Sequence, residues 1–291
     1  MNATKSSDSN LYNPSSAMNS DPAPAISVLI PAYNGASWLS ETLSRLPAAA
    51  GGVPFEAIVV DNASGDETVA VAGKAAGVRV LRNEKNRGFS GAVNQAAAAS
   101  RGKTLVVINQ DLHLEPDSLR FIHEFLSSND AVAGGALTFP DGAPQPSFGP
   151  FHTLFGTLWR LLLPRRIRKY DIGGASDRTR PVDWVTGAFL AFPRALYDKI
   201  GGFSEDYFMY YEDADFCLRA RQAGFPSYFL PSARAVHVAP YSERGDSPVW
   251  LRQVVRRSQM TYFKRHRPGI ESSFIQALNR VYFAVHGWPW P

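Results

Sequence analysis

The sequence predicts an α/β fold, an open and mostly parallel sheet with helices on both faces. Short apolar runs rich in β-branched residues alternate with segments of helical periodicity, at the spacing of βαβ units. Polar residues collect directly after these runs, at the strand ends where such sheets bind ligands. The 291 residues are 45% hydrophobic and 19% charged, which is the composition of a globular protein with a sizeable core.

The first part of the chain carries the regular alternation. Residues 1–24 are rich in Ser, Asn, Asp, Ala and Pro, and this composition predicts a disordered arm. A buried strand over 26–30 is followed by a helix over 37–46, with Ser37 or Asn34 as its cap. The later predicted elements are a strand over 55–61, a helix over 69–76, a strand over 78–83, a helix over 91–100 and a strand over 104–111.

After about residue 130 the alternation weakens. The pattern predicts a basic amphipathic segment over 157–170, a strand over 182–193, a helix over 194–200, a helix over 212–224, short strands over 227–230 and 233–238, and a basic amphipathic helix over 251–266. Gly201 and Gly202 are predicted to stop the helix that precedes them.

The stretch YFMYYEDADFCLR, from Tyr207 to Arg219, places three carboxylates directly behind a block of aromatics. Glu212, Asp213 and Asp215 would lie in the first turn of a helix, where acids gain from the helix macrodipole. Capping alone leaves the aromatic run unexplained. A carboxylate at the mouth of an aromatic-lined pocket is a candidate general base, because partial desolvation raises its pKa. Spacing leaves both interpretations open.

Polar residues follow three of the predicted strands: Tyr33 and Asn34, then Asp61 and Asn62, then Asn109 and Asp111. Asp61 is either a satisfied turn residue or an acceptor for a nucleotide's ring N–H or ribose hydroxyl. Asp111 is a hard oxygen ligand, and one carboxylate suffices for Mg²⁺ or Mn²⁺ when phosphates and water complete the shell. His237, at a later strand end, is either structural or a nitrogen ligand.

The segment NEKNRGFSGAVN carries Gly88 and Gly91, which would let the backbone approach a ligand before a helix begins. The segment is not GxGxxG and does not follow the first strand, so an ordinary turn is favoured over dinucleotide binding. The missing fingerprint also argues against an oxidoreductase.

Taken together and in order, these segments resemble the inverting glycosyltransferases of family 2, which have the GT-A type nucleotide-sugar-binding fold. The resemblance is carried by SVLIPAYNGASWLSETLSRL, VVDNASGDET, NRGFSGAVNQAAAAS, VVINQDLHLEPDSL and VDWVTGAFLAFPRALYDKIGGFSEDYFMYYEDADFCLRARQAGF. Within the family the chain most resembles the bacterial rhamnosyltransferase-like branch. The implied organisation is a GT-A domain over 25–240, with a nucleotide-binding half over 25–130 and an acceptor-binding half over 131–240. A basic amphipathic helical region over 241–291 would follow.

The resemblance implies a role for each matching residue. Asp213 would be the catalytic base, and the acceptor side would be shaped or supported by Glu212, Asp215, Trp184, Thr186 and Gly187. The nucleotide sugar would lie along Pro31, Ala32, Tyr33, Asn34, Asp61, Asn62, Arg87, Gly88, Phe89, Gly91, Asn94, Asn109 and Gln110. Asp111, with His237 as a further ligand, would hold a divalent cation, Mg²⁺ or Mn²⁺, at the diphosphate. Because NQD replaces the usual NPD, the metal would rest mainly on Asp111 and the substrate.

The implied reaction moves a sugar, L-rhamnose from dTDP-rhamnose by resemblance, from a nucleotide diphosphate donor to an acceptor hydroxyl. The acceptor would be a glycan or a polyprenyl-diphosphate-linked sugar in bacterial cell-surface polysaccharide synthesis. The alternative is a catalytically silent nucleotide-sugar-binding scaffold of the same fold. The presence of both Asp111 and Asp213 argues against that alternative.

The net charge of +4 is unevenly distributed, with basic runs over 160–169 and 252–267. Such runs suit an anionic partner, and a lipid-linked acceptor would favour the anionic surface of a membrane. The alternative for the C-terminal run is a helix that packs on the core. Nucleic acid is not an expected partner, since no nucleic-acid-binding motif occurs. A homodimer remains open.

Cysteine content and hydropathy lead to an expected location. The single cysteine, Cys217, excludes a disulfide framework. No apolar run approaches the roughly 20 residues of a transmembrane helix, and no secretory signal is recognised. The expected location is the cytoplasm, peripheral on the inner face of the cell membrane.

Overall fold

A computed structural model describes residues 23–162, 176–239 and 248–290 of the chain. Residues 1–22 of the predicted arm and residues 163–170 of the predicted basic segment lie outside the described residues.

One large sheet organises the described residues, and its first four strands run in parallel. β1 (Ile26–Ala32) pairs with both β2 (Phe55–Asp61) and β4 (Thr104–Ile108), and β3 (Val78–Arg82) pairs with β2. Each was predicted within a few residues, because a strand buried on both faces reads as a continuous apolar run. Their carboxyl ends therefore meet at one edge of the sheet.

The chain after β4 adds strands in mixed directions. They are β5 (Leu112–Leu114), β6 (Val132–Thr138), β7 (Pro144–Gln145), β8 (Phe148–Gly149), β9 (Arg180–Val182), β10 (Trp184–Val185), β11 (Phe189–Pro193) and β12 (Ser227–His237). The main path is β3-β2-β1-β4-β11-β6-β12-β5, while β8 and β10 form a separate pair. β11 is antiparallel to β4 and β6, and β12 is parallel to β6. Strands from both predicted halves thus share one sheet.

Helices cover both faces of the sheet, which confirms the predicted α/β fold class. The described helices are α1 (Ala36–Ala50), α2 (Thr68–Lys74), α3 (Gly88–Ala99), α4 (Ser118–Ser128), α5 (Leu154–Leu162), α6 (Arg194–Ile200), α7 (Glu212–Gln222), α8 (Val249–His266) and α9 (Ile270–Val285). Apolar side chains of α1, α2 and α4 form one core layer, and those of α3, α6 and α7 form the other.

Two strand predictions are corrected. The strand predicted over 182–193 is interrupted by a turn in which the Phe189 N–H donates to the Thr186 carbonyl at 3.2 Å, which leaves β10 and β11. The two short strands predicted over 227–238 are one strand, β12, whose register shifts between Leu230 and Arg234. Pro231, which has no N–H for the ladder, stands inside that shift.

The predicted cap of the first helix is wrong. α1 follows Gly35 and has no side-chain cap from its own segment. The N–H groups of Gly35 and Ala36 donate instead to Thr68 Oγ1 at 2.8 Å and to Asp66 Oδ2 at 3.1 Å. The loop after β2 therefore caps the helix after β1.

The C-terminal helices pack on the core, which was one of the two alternatives for the basic run. Tyr262 and Phe263 of α8 are fully buried with Tyr207, Ala214 and Ile275 in a third apolar cluster. α9, which supplies Ile275, lies within the helical region predicted over 241–291, although its own bounds were not predicted. None of the described helices is both long and apolar enough to cross a membrane.

Candidate active site

A cavity of about 340 Å³ opens at the carboxyl ends of β1, β2 and β4. It is lined by Pro31, Ala32, Tyr33, Asn62, Asn86, Gly88, Phe89, Asn109, Gln110, Asp111, Phe208, Met209, His237 and Trp250. Most of the residues predicted to contact a nucleotide sugar or a metal are among them. Open α/β sheets bind ligands at this edge because the loops there leave backbone groups free to meet a ligand.

Reciprocal hydrogen bonds hold the loops after β1 and β4 together. The Tyr33 N–H donates to Gln110 Oε1 at 2.9 Å, and Gln110 Nε2 donates to the Tyr33 carbonyl at 3.1 Å. Asn34 has a φ of 49° and accepts from the Gly65 N–H at 2.9 Å. Tyr33, 42% exposed, is thereby left with its ring at the cavity.

Buried hydrogen bonds hold the loop after β2 in place. Asp61 is buried, and its carboxylate accepts from the Ser64 N–H at 3.3 and 3.4 Å. Asn62 Nδ2 donates to the Gly88 carbonyl at 3.0 Å, and Asn62 Oδ1 accepts from Asn83 Nδ2 at 2.9 Å. Asn62 therefore ties the β2 loop to the start of α3, where Gly88 borders the cavity.

Gly88 occupies a position that no larger residue fits. Its φ is +76°, and a Cβ there would collide with the Phe208 carbonyl oxygen and lie 2.9 Å from Phe208 Cα. The close approach lets the Phe89 N–H donate to the Phe208 carbonyl at 2.7 Å. This bond joins the start of α3, which borders the cavity, to the loop that precedes α7.

We expect Gly88→Ala to weaken binding of a nucleotide diphosphate sugar by roughly tenfold or more, because small displacements in a site are costly. Gly77→Ala is the matched control: its φ of +73° imposes the same backbone strain, but a Cβ there meets nothing within 4 Å. Calorimetric titration of both variants separates the two effects. Equal affinities in the two variants would contradict the role given to the close approach.

Asp111 and His237 form the candidate metal site. Both are buried, with His237 Nε2 3.2 Å from Asp111 Oδ1 and 3.2 Å from Asn109 Nδ2. His237 Nδ1 lies 3.1 Å from Gln145 Oε1 and donates to it in the neutral ring, which leaves the Nε2 lone pair to accept from Asn109 Nδ2 beside the Asp111 carboxylate. A lone pair beside a carboxylate oxygen is the donor set of a divalent cation.

This pair fits a cation that takes most of its ligands from elsewhere. Among the residues the structure describes, no group of three or more His, Cys, Asp or Glu side chains is arranged to hold a metal. Mg²⁺ and Mn²⁺ commonly use one or two protein ligands together with substrate phosphates and water. The arrangement therefore agrees with a metal that binds with a diphosphate.

The loop before α7 is strained and anchored at both sides of the cavity. Tyr210 and Tyr211 have φ values of 69° and 67°, which are uncommon for residues other than glycine. The Met209 carbonyl accepts from Ser258 Oγ of α8 at 2.8 Å. Strain of this kind persists only where the surrounding structure enforces it, and here it lies between the cavity-lining residues Phe208 and Met209 and the first turn of α7.

Asp213 and Glu212 have contrasting environments, although they are neighbours in the chain. Asp213 is half-buried, and its two oxygens accept from the Gly187 N–H at 3.1 Å and the Ala214 N–H at 2.8 Å. Desolvation raises the pKa of Asp213, and these N–H groups oppose the rise. Desolvation and the Asp213 charge raise the pKa of Glu212 well above its ordinary value.

This contrast divides the roles of the two acids. Glu212 is buried, and its Oε2 has no hydrogen-bond partner among the described residues. Burial without a partner for Oε2 therefore favours the protonated form of Glu212, whereas two N–H donors and the helix N-terminus favour the charged form of Asp213. A pair of acids whose environments push their pKa values apart leaves one of them available as a base.

Asp215 binds the C-terminal helices to α7. It is fully buried, and its carboxylate accepts from His266 Nε2 at 2.6 Å, Arg219 Nε at 2.8 Å and the Tyr207 hydroxyl at 3.3 Å. Burial alone would raise the pKa of Asp215, but the His266 hydrogen bond and the Arg219 charge outweigh it and hold the pKa below its ordinary value. Asp215 therefore supports the first turn of α7 by joining it to α8.

The residues predicted for the acceptor side lie beside Asp213. Gly187 donates its N–H to Asp213, and a Cβ at Gly187 would lie 3.1 Å from Phe89 Cζ, which connects this side to the cavity. Thr186 donates its N–H to the Ser147 carbonyl at 2.9 Å, which fixes the turn. Trp184 stacks on His152, with ring centroids 5.9 Å apart.

Some predicted residues lie behind the cavity wall. Asn94 uses its amide to hold the Phe203 segment, accepting from the Phe203 N–H at 2.9 Å and donating to the Phe203 carbonyl at 2.8 Å. Arg87 pairs with Glu205 at 3.3 Å. Asn34, Asp61 and Gly91 also stand outside the cavity lining.

Sequence reasoning missed other residues of the site. Phe208 and Met209 line the cavity from the loop before α7, and Trp250 reaches it from α8. Gln145 supports His237. The aromatic run before α7 signalled the first two. Nothing local to Trp250 indicates that it reaches the cavity, and nothing local to Gln145 indicates contact with His237, 92 positions away.

Comparison with known proteins agrees with this geometry. Residues 27–201 match the model of Glycosyl transferase family 2. The chain is 30% identical over 217 residues to the N-acetylglucosaminyl-diphospho-decaprenol L-rhamnosyltransferase of Mycobacterium tuberculosis, covering 66% of this chain and 69% of the relative. The predicted resemblance to the rhamnosyltransferase-like branch is thereby confirmed.

Solved structures agree on the fold. S. aureus TarS 1-349 in complex with UDP is 20% identical, with a TM-score of 0.53 over 83% of this chain and 72% of that one. GalNAc-T7 with UDP, GalNAc and Mn²⁺ is 15% identical, with a TM-score of 0.55 over 82% of this chain and 48% of that one. Both have the GT-A fold. The family match covers more than half of the chain, which therefore belongs to glycosyl transferase family 2 and resembles its rhamnosyltransferases.

Proposed function

We propose that this glycosyltransferase moves a sugar from a nucleotide diphosphate donor to an acceptor hydroxyl with inversion at the anomeric carbon. The observation that carries the proposal is the Asp213 carboxylate, which accepts from the backbone N–H groups of Gly187 and Ala214, with Gly187 packed against Phe89 of the cavity wall. We propose L-rhamnose, carried by dTDP-rhamnose, as the donor sugar, since the relative from Mycobacterium tuberculosis is named for L-rhamnosyl transfer.

The proposed acceptor is a polyprenyl-diphosphate-linked sugar or a related glycan of the bacterial cell surface. The name of the same relative includes N-acetylglucosaminyl-diphospho-decaprenol, a sugar on a lipid diphosphate. An acceptor of this kind is held by its lipid, so the reaction would take place at a membrane surface. The aromatic wall of Trp184, His152 and Tyr211 suits a sugar ring, because apolar sugar faces stack on aromatic rings.

The proposed reaction is one displacement. Asp213 takes the proton from the acceptor hydroxyl as its oxygen attacks the anomeric carbon, and the bond to the nucleoside diphosphate breaks on the opposite face. The partial burial of Asp213 suits this role, because a base with a raised pKa accepts a proton more readily. Glu212, which holds its proton, adds no second negative charge to the site.

The donor would lie in the cavity. Its nucleobase would lie between the loops after β1 and β2, and its diphosphate near Asp111. Asp111 and His237 are the residues that would hold a divalent cation. When bound there, such a cation would neutralise the charge of the leaving diphosphate.

The proposal is tested by calorimetric titration of a panel of nucleotide sugars, with and without Mg²⁺ or Mn²⁺. We expect one donor to bind in a metal-dependent manner, and Asp111→Asn to lower its affinity roughly tenfold or more, the effect expected when a group at a metal site is altered. Asp130→Asn, a change of the same charge at an exposed position, is the control. Failure of every donor to bind would overturn the proposal.

A further inference from the structure

Helix α9 leaves one face apolar and exposed. Ile270, Phe274, Val281 and Val285 are 85%, 45%, 62% and 77% exposed. At about 100° per residue these four positions fall within an arc of roughly 60°. The opposite face of the helix is buried against the protein through Ile275 and Phe283. A helix that already buries one face against the core does not need a second apolar face for folding.

Helix α5 extends this apolar area. Phe155 and Trp159 are 76% and 49% exposed, and their stacked rings have centroids 6.2 Å apart. The two helices meet at their N-terminal ends, where the Leu154 N–H donates to Glu271 Oε2 at 2.7 Å. Phe155 and Ile270 are the chain neighbours of these two residues. We call the six exposed side chains of the two helices the α5–α9 surface.

The surrounding charge is almost entirely positive. Residues 249–290 contain seven lysines and arginines and a single acid, Glu271, which is engaged by α5. Three of these arginines lie over aromatic rings: Arg252 is 5.5 Å from Trp288, Arg256 4.3 Å from Tyr282 and Arg280 5.3 Å from Trp290. Side chains with an apolar body and a polar or charged tip favour the boundary between hydrocarbon and water.

We propose that the α5–α9 surface docks this enzyme on a bilayer of anionic lipids, with the apolar side chains among the acyl chains and the arginines among the headgroups. This inference rests on the proposed function, in which the acceptor is lipid-linked. It assigns membrane contact to the apolar faces of α5 and α9, whereas the sequence had suggested the basic runs over 160–169 and 252–267. The aromatic side chains Tyr262 and Phe263 of α8 are buried in the protein.

The docking surface adjoins the acceptor side of the site. Arg267, between α8 and α9, donates through Nε to the His152 carbonyl at 3.4 Å. The His152 ring lies 4.5 Å from Tyr211, the residue before Glu212 and Asp213. A sugar whose lipid remains in the bilayer would therefore approach Asp213 from this side.

Charge distinguishes a bilayer from a second copy of the chain. A symmetric contact through this surface would bring together two copies of residues 249–290, each with seven lysines and arginines and a single acid, Glu271, which is engaged by α5. Anionic headgroups neutralise the same arginines. Charge complementarity therefore favours an anionic bilayer over a second copy of the chain as the partner of the α5–α9 surface.

The test is co-sedimentation of the full chain with vesicles of phosphatidylcholine, alone or mixed with phosphatidylglycerol. We expect binding to the anionic vesicles, and a loss of roughly tenfold or more in the triple variant Ile270→Ser, Val281→Ser, Val285→Ser. These side chains are exposed, so the variant should fold, and its thermal melting curve checks that it does.

Arg280→Gln should weaken binding about fivefold. Arg79→Gln removes an equal charge from the distant edge strand β3 and should leave binding unchanged.

Three outcomes would overturn the inference: no preference for anionic vesicles, equal binding by the triple variant, or a dimer in light scattering that the triple variant dissolves. Donor titration without vesicles reports on the proposed function separately. A protein that binds a nucleotide sugar but no vesicles would contradict only the inference of membrane docking. A protein that binds vesicles but no nucleotide sugar would contradict the proposed transfer and would still support the docking surface.

Discussion

Asp213→Asn is expected to lower the rate of sugar transfer by roughly 10²–10⁴-fold, the range attributed to a lost general base. Donor affinity should change little, because Asn keeps the shape of Asp and its oxygen can still accept from the Gly187 or Ala214 N–H. The measurement is single-turnover transfer at saturating donor. A rate within a few-fold of wild type would take the role of base away from Asp213.

Glu212→Gln provides the contrast, one residue away in the same turn of α7. Because Glu212 holds its proton, a neutral amide of the same size should keep the rate within about tenfold of wild type. The rate of the wild-type enzyme should fall as the pH is lowered through the raised pKa of Asp213, since protonation removes the base. If Glu212→Gln lost as much activity as Asp213→Asn, the two roles would be exchanged or shared.

Asp215→Asn is expected to lower the free energy of unfolding by about 3–5 kcal/mol, as when one partner of a buried ion pair is removed. Asp215 is fully buried, and its charge pairs with Arg219 and His266. The variant would leave both groups beneath α7 without their anion. Transfer activity should fall as well, because α7 carries Asp213. Denaturant unfolding, read by circular dichroism, measures the change.

The stability effect of Asp215 should depend on pH in one direction. The pKa of Asp215 is held below its ordinary value in the folded protein, so its contribution is present above the unfolded pKa of about 4 and is lost as the pH falls through the folded pKa. The difference between wild type and variant should therefore shrink in acid. Glu41→Ala, which removes the exposed pair of Glu41 with Arg45, is the control and should alter stability far less. A difference that is constant with pH would contradict the ionic role.

The part of the fold that local pattern could predict is the parallel half. The strands β1, β2 and β4 are buried on both faces, so their apolar runs and the polar residues after them identify the strands and the ligand-binding edge together. Prediction from local pattern failed for features that depend on contacts between residues far apart in the sequence. The cap of α1 comes from Asp66 and Thr68 in another loop, and β12 remains one strand across Pro231 because β6 continues beside it.

The sequence by itself determined the α/β class, the family resemblance and the three acids at the start of α7. It left open whether those acids cap a helix or face a ligand, because spacing along one helix says nothing about what lies opposite each side chain. Only the tertiary structure separated them. The Gly187 N–H stabilises the charge of Asp213, burial without a partner for Oε2 raises the pKa of Glu212, and the hydrogen bond from His266 of α8 joins Asp215 to the C-terminal helices. Protonation and pairing depend on desolvation and on donors brought from distant parts of the chain, and only the folded chain supplies both.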